Sequence, residues 1–183
     1  MMLKIKDWFI KYRLEILTIT ILILAGCLGH FIHEISDNEI VIKILGVLFP
    51  VNETTWEHMK LLWYPFLFAG IILSIKEKNW GYFGSFTICG LLSILAVLGA
   101  FAIYESYSVV ALVLPDIILV MMCFIFLGLL AFHLAKQEFM KKSLIFWIVI
   151  AALITASIIT LTYIPGDGYI FKDNEGLKEA FAK

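Results

Sequence analysis

The sequence predicts an all-helical, polytopic membrane bundle of about five transmembrane helices, and three observations carry that expectation. Of 183 residues, 62% are hydrophobic and 16% charged, with a mean hydropathy of +0.96, too little polar matter to cover a water-soluble globule. The apolar residues gather into five blocks, each close to the roughly 20 residues a bilayer-spanning helix needs. Lys and Arg collect in alternate connections between those blocks, the asymmetry that orients helices in a membrane.

The blocks fall at about residues 14–35, 54–75, 82–104, 115–135 and 144–164. The first follows a basic stretch with Lys4, Lys6, Lys11 and Arg13. The second opens on Thr54-Thr55-Trp56-Glu57, an S/T-x-x-E capping box in which Thr54 caps the helix and Glu57 bonds back to the cap amide. The third follows the short polar turn Lys76-Glu77-Lys78-Asn79, and the fourth opens on Pro115-Asp116, a first-turn proline with a dipole-favoured acid behind it. The fifth follows a turn carrying Lys136, Lys141 and Lys142. Turns this short fit an up-and-down bundle. Residues 38–50 differ: the stretch is apolar, with Gly46 inside and Pro50 at its end, but about half a spanning length, and it reads as a re-entrant or interfacial piece folded over the mouth of the bundle. The tail, 165–183, is too short for a core, so residues 1–183 form one integral membrane domain.

The basic connections place the N-terminus in the cytoplasm and the C-terminus outside. Trp8, Tyr12, Trp56, Trp63, Trp80, Tyr104 and Trp147 mostly fall near span ends, where amphipathic rings anchor a helix. The net charge of -1 says nothing about partners, and no basic stripe suggests nucleic acid; membrane lipids are the expected partners, with no nucleic acid and with homo-oligomerisation open. Cys27, Cys89 and Cys123 sit apart in apolar spans, without C-x-x-C spacing. Leu24-Ala25-Gly26-Cys27 has the form of a lipoprotein cleavage box, but the apolar run continues through Leu28, Phe31 and Ile32 as a spanning helix would.

The ionisable residues of the interior converge on one depth. His30, His33, Glu34 and Asp37 line one face of the first span within an arc of roughly 100°. On the second span Glu53, Glu57 and Lys60 share a face, with His58 on its shoulder. Asp116 opens the fourth span at the same, extracytoplasmic end. Such groups are expensive in lipid and are tolerated when they pair or bind a cation, so they mark a candidate site. Each also has a plainer role: Glu57 and Asp116 as helix-start acids, His33 and Asp37 as solvated interfacial groups, His58 as a packing histidine, and His133 as interfacial at the other end.

Imidazole and carboxylate are the ligand types of zinc and related divalent ions, and a catalytic ion keeps one position open for water. His30, Glu34 and His58 are the candidate ligands, Glu57 or Asp116 the general base, and Glu53 and Lys60 orienting groups. Without metal, the same groups could titrate as a proton site, with Lys60 a counter-ion to Glu57 at i+3.

Asn52-Glu53-Thr54-Thr55-Trp56-Glu57-His58-Met59-Lys60, followed by Pro65, resembles the N-E-S-x-W-E-H-L-K stretch of a family of small multi-pass bacterial membrane proteins of unknown function. His30-Phe31, Glu34 and Asn38 are similar to its first-span pattern, and Asp116 and Phe171-Lys172-Asp173 to weaker later features. The resemblance implies a family that keeps His30, Glu34, Glu53, Glu57 and His58 together, and supplies no reaction. A looser similarity is to membrane hydrolases of the ceramidase and adiponectin-receptor kind, which hold zinc inside a helical bundle; span number and spacings differ, so it is an analogy.

Three functions follow as expectations. The first is a membrane-embedded, metal-dependent hydrolase acting at the outer leaflet on a lipid or other amphiphile. The second is a proton- or cation-coupled transporter or channel-like protein, which five spans without inverted repeats fit poorly. The third is a small accessory or immunity protein that acts by contact, without catalysis.

Overall fold

A computed structural model of the chain describes residues 2–30, 40, 44–52, 54–107 and 113–171, and within these it leaves aside the side chains of 2–11, 30, 104–107, 113–116 and 169. The helices are α1 (Met2–His30), α2 (Thr55–Lys76), α3 (Gly81–Tyr107), α4 (Val113–Leu134), α5 (Glu138–Lys142) and α6 (Leu144–Tyr163), and a 3-10 turn follows at Tyr169–Phe171. Among the described residues there is no strand. All except α5 are long and apolar enough to cross a membrane, so the protein is a multi-pass membrane protein, with five such helices among the described residues. They lie on the five apolar blocks. α1 starts well before its block because nothing between Lys4 and Leu14 breaks a helix: there is no Gly or Pro.

α2 packs on α3 and α3 on α4, as short connections favour, whereas α6 packs on α3 and α2 and, among the described residues, not along α4. Between α2 and α3, Lys78 takes a left-handed backbone (φ 51°), and the Asn79 side chain accepts from Gly81 N–H at 3.0 Å. The same side chain donates to Ala135 O at 3.3 Å, tying this turn to the one between α4 and α5. Ser74, buried in the last turns of α2, accepts Phe83 N–H at 2.8 Å, satisfying one of the unpaired amides that begin α3.

The α2 span is the least apolar of the five and also the most buried, half of it against 17% of the α6 span. α2 packs along α3, touches α1, α4 and α6, and carries Met59, Lys60, Leu62, Trp63 and Phe66 at no more than 1% exposure. In lipid this is the sensible order, because apolar faces can be left outward at no cost while polar groups need protein partners. Close approach depends on small residues. A Cβ on Gly84 of α3 would lie 2.5 Å from Trp147 Cδ1 of α6, and one on Gly26 of α1 would lie 2.6 Å from the Phe124 ring of α4 and 3.4 Å from Leu61 O of α2.

Two expectations need correcting. Trp63 and Trp147 are core residues, not interfacial anchors: Trp63 is fully buried and donates from Nε1 to Thr155 Oγ1 of α6 at 3.0 Å, and Trp147 is 5% exposed. Their large rings fill the gaps that glycine leaves between helices. Trp80, 46% exposed, behaves as an anchor. Cys89 and Cys123 are buried, whereas Cys27 is exposed on the outer side of an α1 that runs unbroken to His30.

Candidate functional site at the start of α2

The chain reaches α2 through Val51 and Asn52. Asn52 Oδ1 accepts the Thr54 amide at 3.1 Å, and Thr54 Oγ1 accepts the Glu57 amide at 3.3 Å, so Thr54 is the expected N-cap. The other half of the capping box is missing. Asn52 has already taken the Thr54 amide, and the Glu57 carboxylate turns instead to Val51 N–H at 2.9 Å and to Lys60 Nζ at 2.6 Å, both on Oε2.

Lys60 is 0% exposed and Glu57 3%. Burying such a pair costs several kcal/mol per ion unless the remaining hydrogen-bonding capacity is also met. Here the ammonium meets it. Besides Glu57, Lys60 Nζ donates to Gly46 O at 2.6 Å and to Phe49 O at 3.3 Å, one acceptor for each of its three N–H bonds. One helical turn further, Tyr64 OH donates to Val47 O at 2.6 Å. Glu57, Lys60 and Tyr64 stand at i, i+3 and i+7, one face of α2. Together they hold residues 44–52 as a strap along that face. The strap itself is wound by Leu48 N–H and Phe49 N–H, both donating to Leu45 O at 2.9 Å. This described part of the 38–50 piece folds back on the bundle.

His58 lies beside this face and is partly buried. Its Nδ1 is 2.8 Å from Thr54 O; a carbonyl only accepts, so Nδ1 carries a proton directed at the backbone of the preceding turn. A backbone carbonyl orients metal-binding histidines in the same way. On the remaining face of the same turns, Trp56 packs on Phe171 of the 3-10 turn, with ring centroids 5.5 Å apart.

The helix register relates the other candidates to this turn. Gly26 touches both Leu61 O and Phe124, and Gly29 packs on Leu61 and, across the strap, on Phe49. His30 is one turn beyond Gly26 at the end of α1, His58 one turn before Leu61 in α2, and Asp116 about two turns before Phe124 in α4. His30 and His58 therefore lie at a similar depth, and Asp116 about one turn nearer the end of the bundle that carries the strap. The side chains of His30 and Asp116 are not described, and Glu34 and Glu53 lie outside the described residues, as do His33, Asp37 and Asp173. Among the described residues, no three His, Cys, Asp or Glu side chains come together in a group able to hold a metal ion.

Sequence reasoning found the Glu57–Lys60 pair from its spacing but missed Tyr64 and the carbonyls of Gly46, Val47 and Phe49. Tyr64 had a signal: it continues the Glu57–Lys60 face by one turn. Backbone acceptors leave no mark in a sequence.

No curated protein and no solved structure matches this chain. A family model matches residues 2–178, nearly the whole length, and the chain belongs to that family, DUF6512, a family of unknown function.

Proposed function

We propose that the protein is a membrane-embedded, metal-dependent hydrolase whose site lies where α1, α2 and α4 meet, with His30, Glu34 and His58 as ligands to zinc or another divalent ion. The orientation of His58 supports this reading: its Nδ1–H is directed at Thr54 O, and a backbone carbonyl holds the ring of a metal-binding histidine in this way. A divalent ion held there would polarise a carbonyl or phosphoryl oxygen and lower the pKa of bound water. Asp116 is favoured over Glu57 as general base, because Oε2 of Glu57 already accepts from both Lys60 and Val51. Glu53 and Lys60 serve as orienting groups, Lys60 by fixing the Glu57 carboxylate. The substrate is a lipid or another amphiphile reaching the site laterally from the outer leaflet of a bacterial plasma membrane, with the N-terminus cytoplasmic, as the basic connections support.

Elemental analysis of the purified protein tests the reading. One equivalent of zinc, retained in the wild type and lost in both His30→Ala and His58→Ala without loss of fold, is the expected result. An absence of metal after zinc reconstitution defeats it.

A contact-acting accessory protein is the second reading. The observation that favours it is the Glu57–Lys60 pair, whose described contacts hold the strap and leave no catalytic task that packing would not explain. Unchanged stability and no metal in the histidine variants would select it, whereas proton or cation flux in liposomes would instead bring forward a transporter.

A further inference from the structure

We infer that the strap and Glu57 form a monovalent-cation site, and that the Lys60 ammonium occupies it as a tethered ion. The atoms described around Lys60 Nζ are all oxygens: the carbonyls of Gly46 and Phe49 at 2.6 and 3.3 Å and Glu57 Oε2 at 2.6 Å. Rings of backbone carbonyls replace the hydration shell of an alkali cation in the same manner, and oxygen ligands suit hard cations generally. The set carries a single negative charge, which a monovalent ion neutralises and a divalent ion would overfill.

The site is also held open by contacts in which Lys60 takes no part. Tyr64 OH holds Val47 O, Val51 N–H holds Glu57 Oε2, and Leu45 O receives the amides of Leu48 and Phe49. These bonds aim the carbonyls inward before any cation arrives, and preorganisation of this kind lowers the cost of binding. A tether supplies the cation at high effective concentration, so the strap stays closed whatever the ion content of the medium. Removing the tether while keeping the oxygens turns a constitutive clamp into an ion-dependent one.

The test compares wild type, Lys60→Ala and Glu57→Gln/Lys60→Ala in potassium chloride, ammonium chloride and choline chloride at equal ionic strength. Alanine leaves the space of the stem and ammonium empty, and choline is too large to occupy it. Lys60→Ala should be stabilised by potassium or ammonium, its unfolding midpoint rising by roughly 3–6 °C for each tenfold increase above half-saturation, with no rise in choline. Wild type and the double variant should show no such difference between salts. Failure of Lys60→Ala to fold or to gain stability in either small cation overturns the inference, because the ion is required to replace what the ammonium supplied. An equal gain in the double variant also overturns it, since the effect would then not need the carboxylate.

Discussion

Replacing Glu57 by Gln and Lys60 by Met, singly and together, separates a structural clamp from a catalytic carboxylate. Glu57→Gln keeps the shape of the side chain but leaves a fully buried ammonium with three neutral acceptors. Lys60→Met keeps the length of the side chain but takes the ammonium from the carboxylate, which retains Val51 N–H, and deprives Gly46 O and Phe49 O of their donor. Breaking a buried pair from one side costs about 3–5 kcal/mol, because the surviving charge has no compensation. At roughly 2–4 °C per kcal/mol for a chain of this size, each single variant should lose on the order of 10 °C in its unfolding midpoint. The double variant carries no buried charge. The amide oxygen that Glu57→Gln introduces can still accept from Val51 N–H, and the residual cost is that of two released carbonyls, about 1–3 kcal/mol. The expected coupling is therefore about 3 kcal/mol or more, with the double variant more stable than either single. Unfolding would be followed in detergent by tryptophan fluorescence, in choline chloride so that no small cation enters the vacated place. Single variants within about 0.5 kcal/mol of wild type, or a double variant that simply adds the single losses, would refute the clamp.

Tyr64→Phe removes one donor to Val47 O and should cost about 1–2 kcal/mol while making the strap backbone more open to hydrogen exchange, with protection at Val51 the most direct readout. Gly84→Ala puts a methyl within the van der Waals radius of the Trp147 ring and should destabilise by about 1–3 kcal/mol through overpacking; a neutral result would mean that α6 shifts freely on α3. Trp63→Phe deletes the hydrogen bond to Thr155 and part of a buried ring, for about 1–3 kcal/mol, and Thr155→Val should reproduce only the smaller, hydrogen-bond part. At the other end of the bundle, Lys141 and Lys142 hold the carboxyl of Glu138 below its ordinary value of 4.5. A folded-state pKa that is depressed contributes stability above the unfolded value and loses it as pH falls through the folded one. α5 should therefore loosen only under clearly acidic conditions, seen as faster proteolysis beside Lys141, and Glu138→Gln should abolish that pH dependence.

The five helices were legible because lipid removes ambiguity: a block of about 20 apolar residues has few other fates. The cap at Thr54 and the counter-ion at Lys60 were legible for a related reason, since both are local and obey helix spacing. What escaped was non-local. The partners of Lys60 and Tyr64 lie 11 to 17 residues back along the chain and are backbone carbonyls, available from any residue type. The tryptophans misled because an aromatic near a span end suits both a membrane interface and a helix contact. Only the glycines opposite decide, as Gly84 does for Trp147.

The polarity of α2 follows from its place in the bundle. A central helix is the one position in a small membrane protein where a lysine and a glutamate can both leave lipid, since each side of it offers protein atoms. The strap completes that enclosure on the Glu57, Lys60 and Tyr64 face, and Phe171 covers part of the Trp56 face. His58 lies off that face, three residues before Leu61, which packs on Gly29 of α1. The clamp and any chemistry are thus divided between different faces of the same two turns. This division explains how Glu57 and His58, adjacent in sequence, can serve unrelated ends. It also sets an order of dependence: loss of the strap should disturb the setting of His58 through Thr54 and the shared helix start, whereas His58→Ala should leave the Lys60 contacts intact.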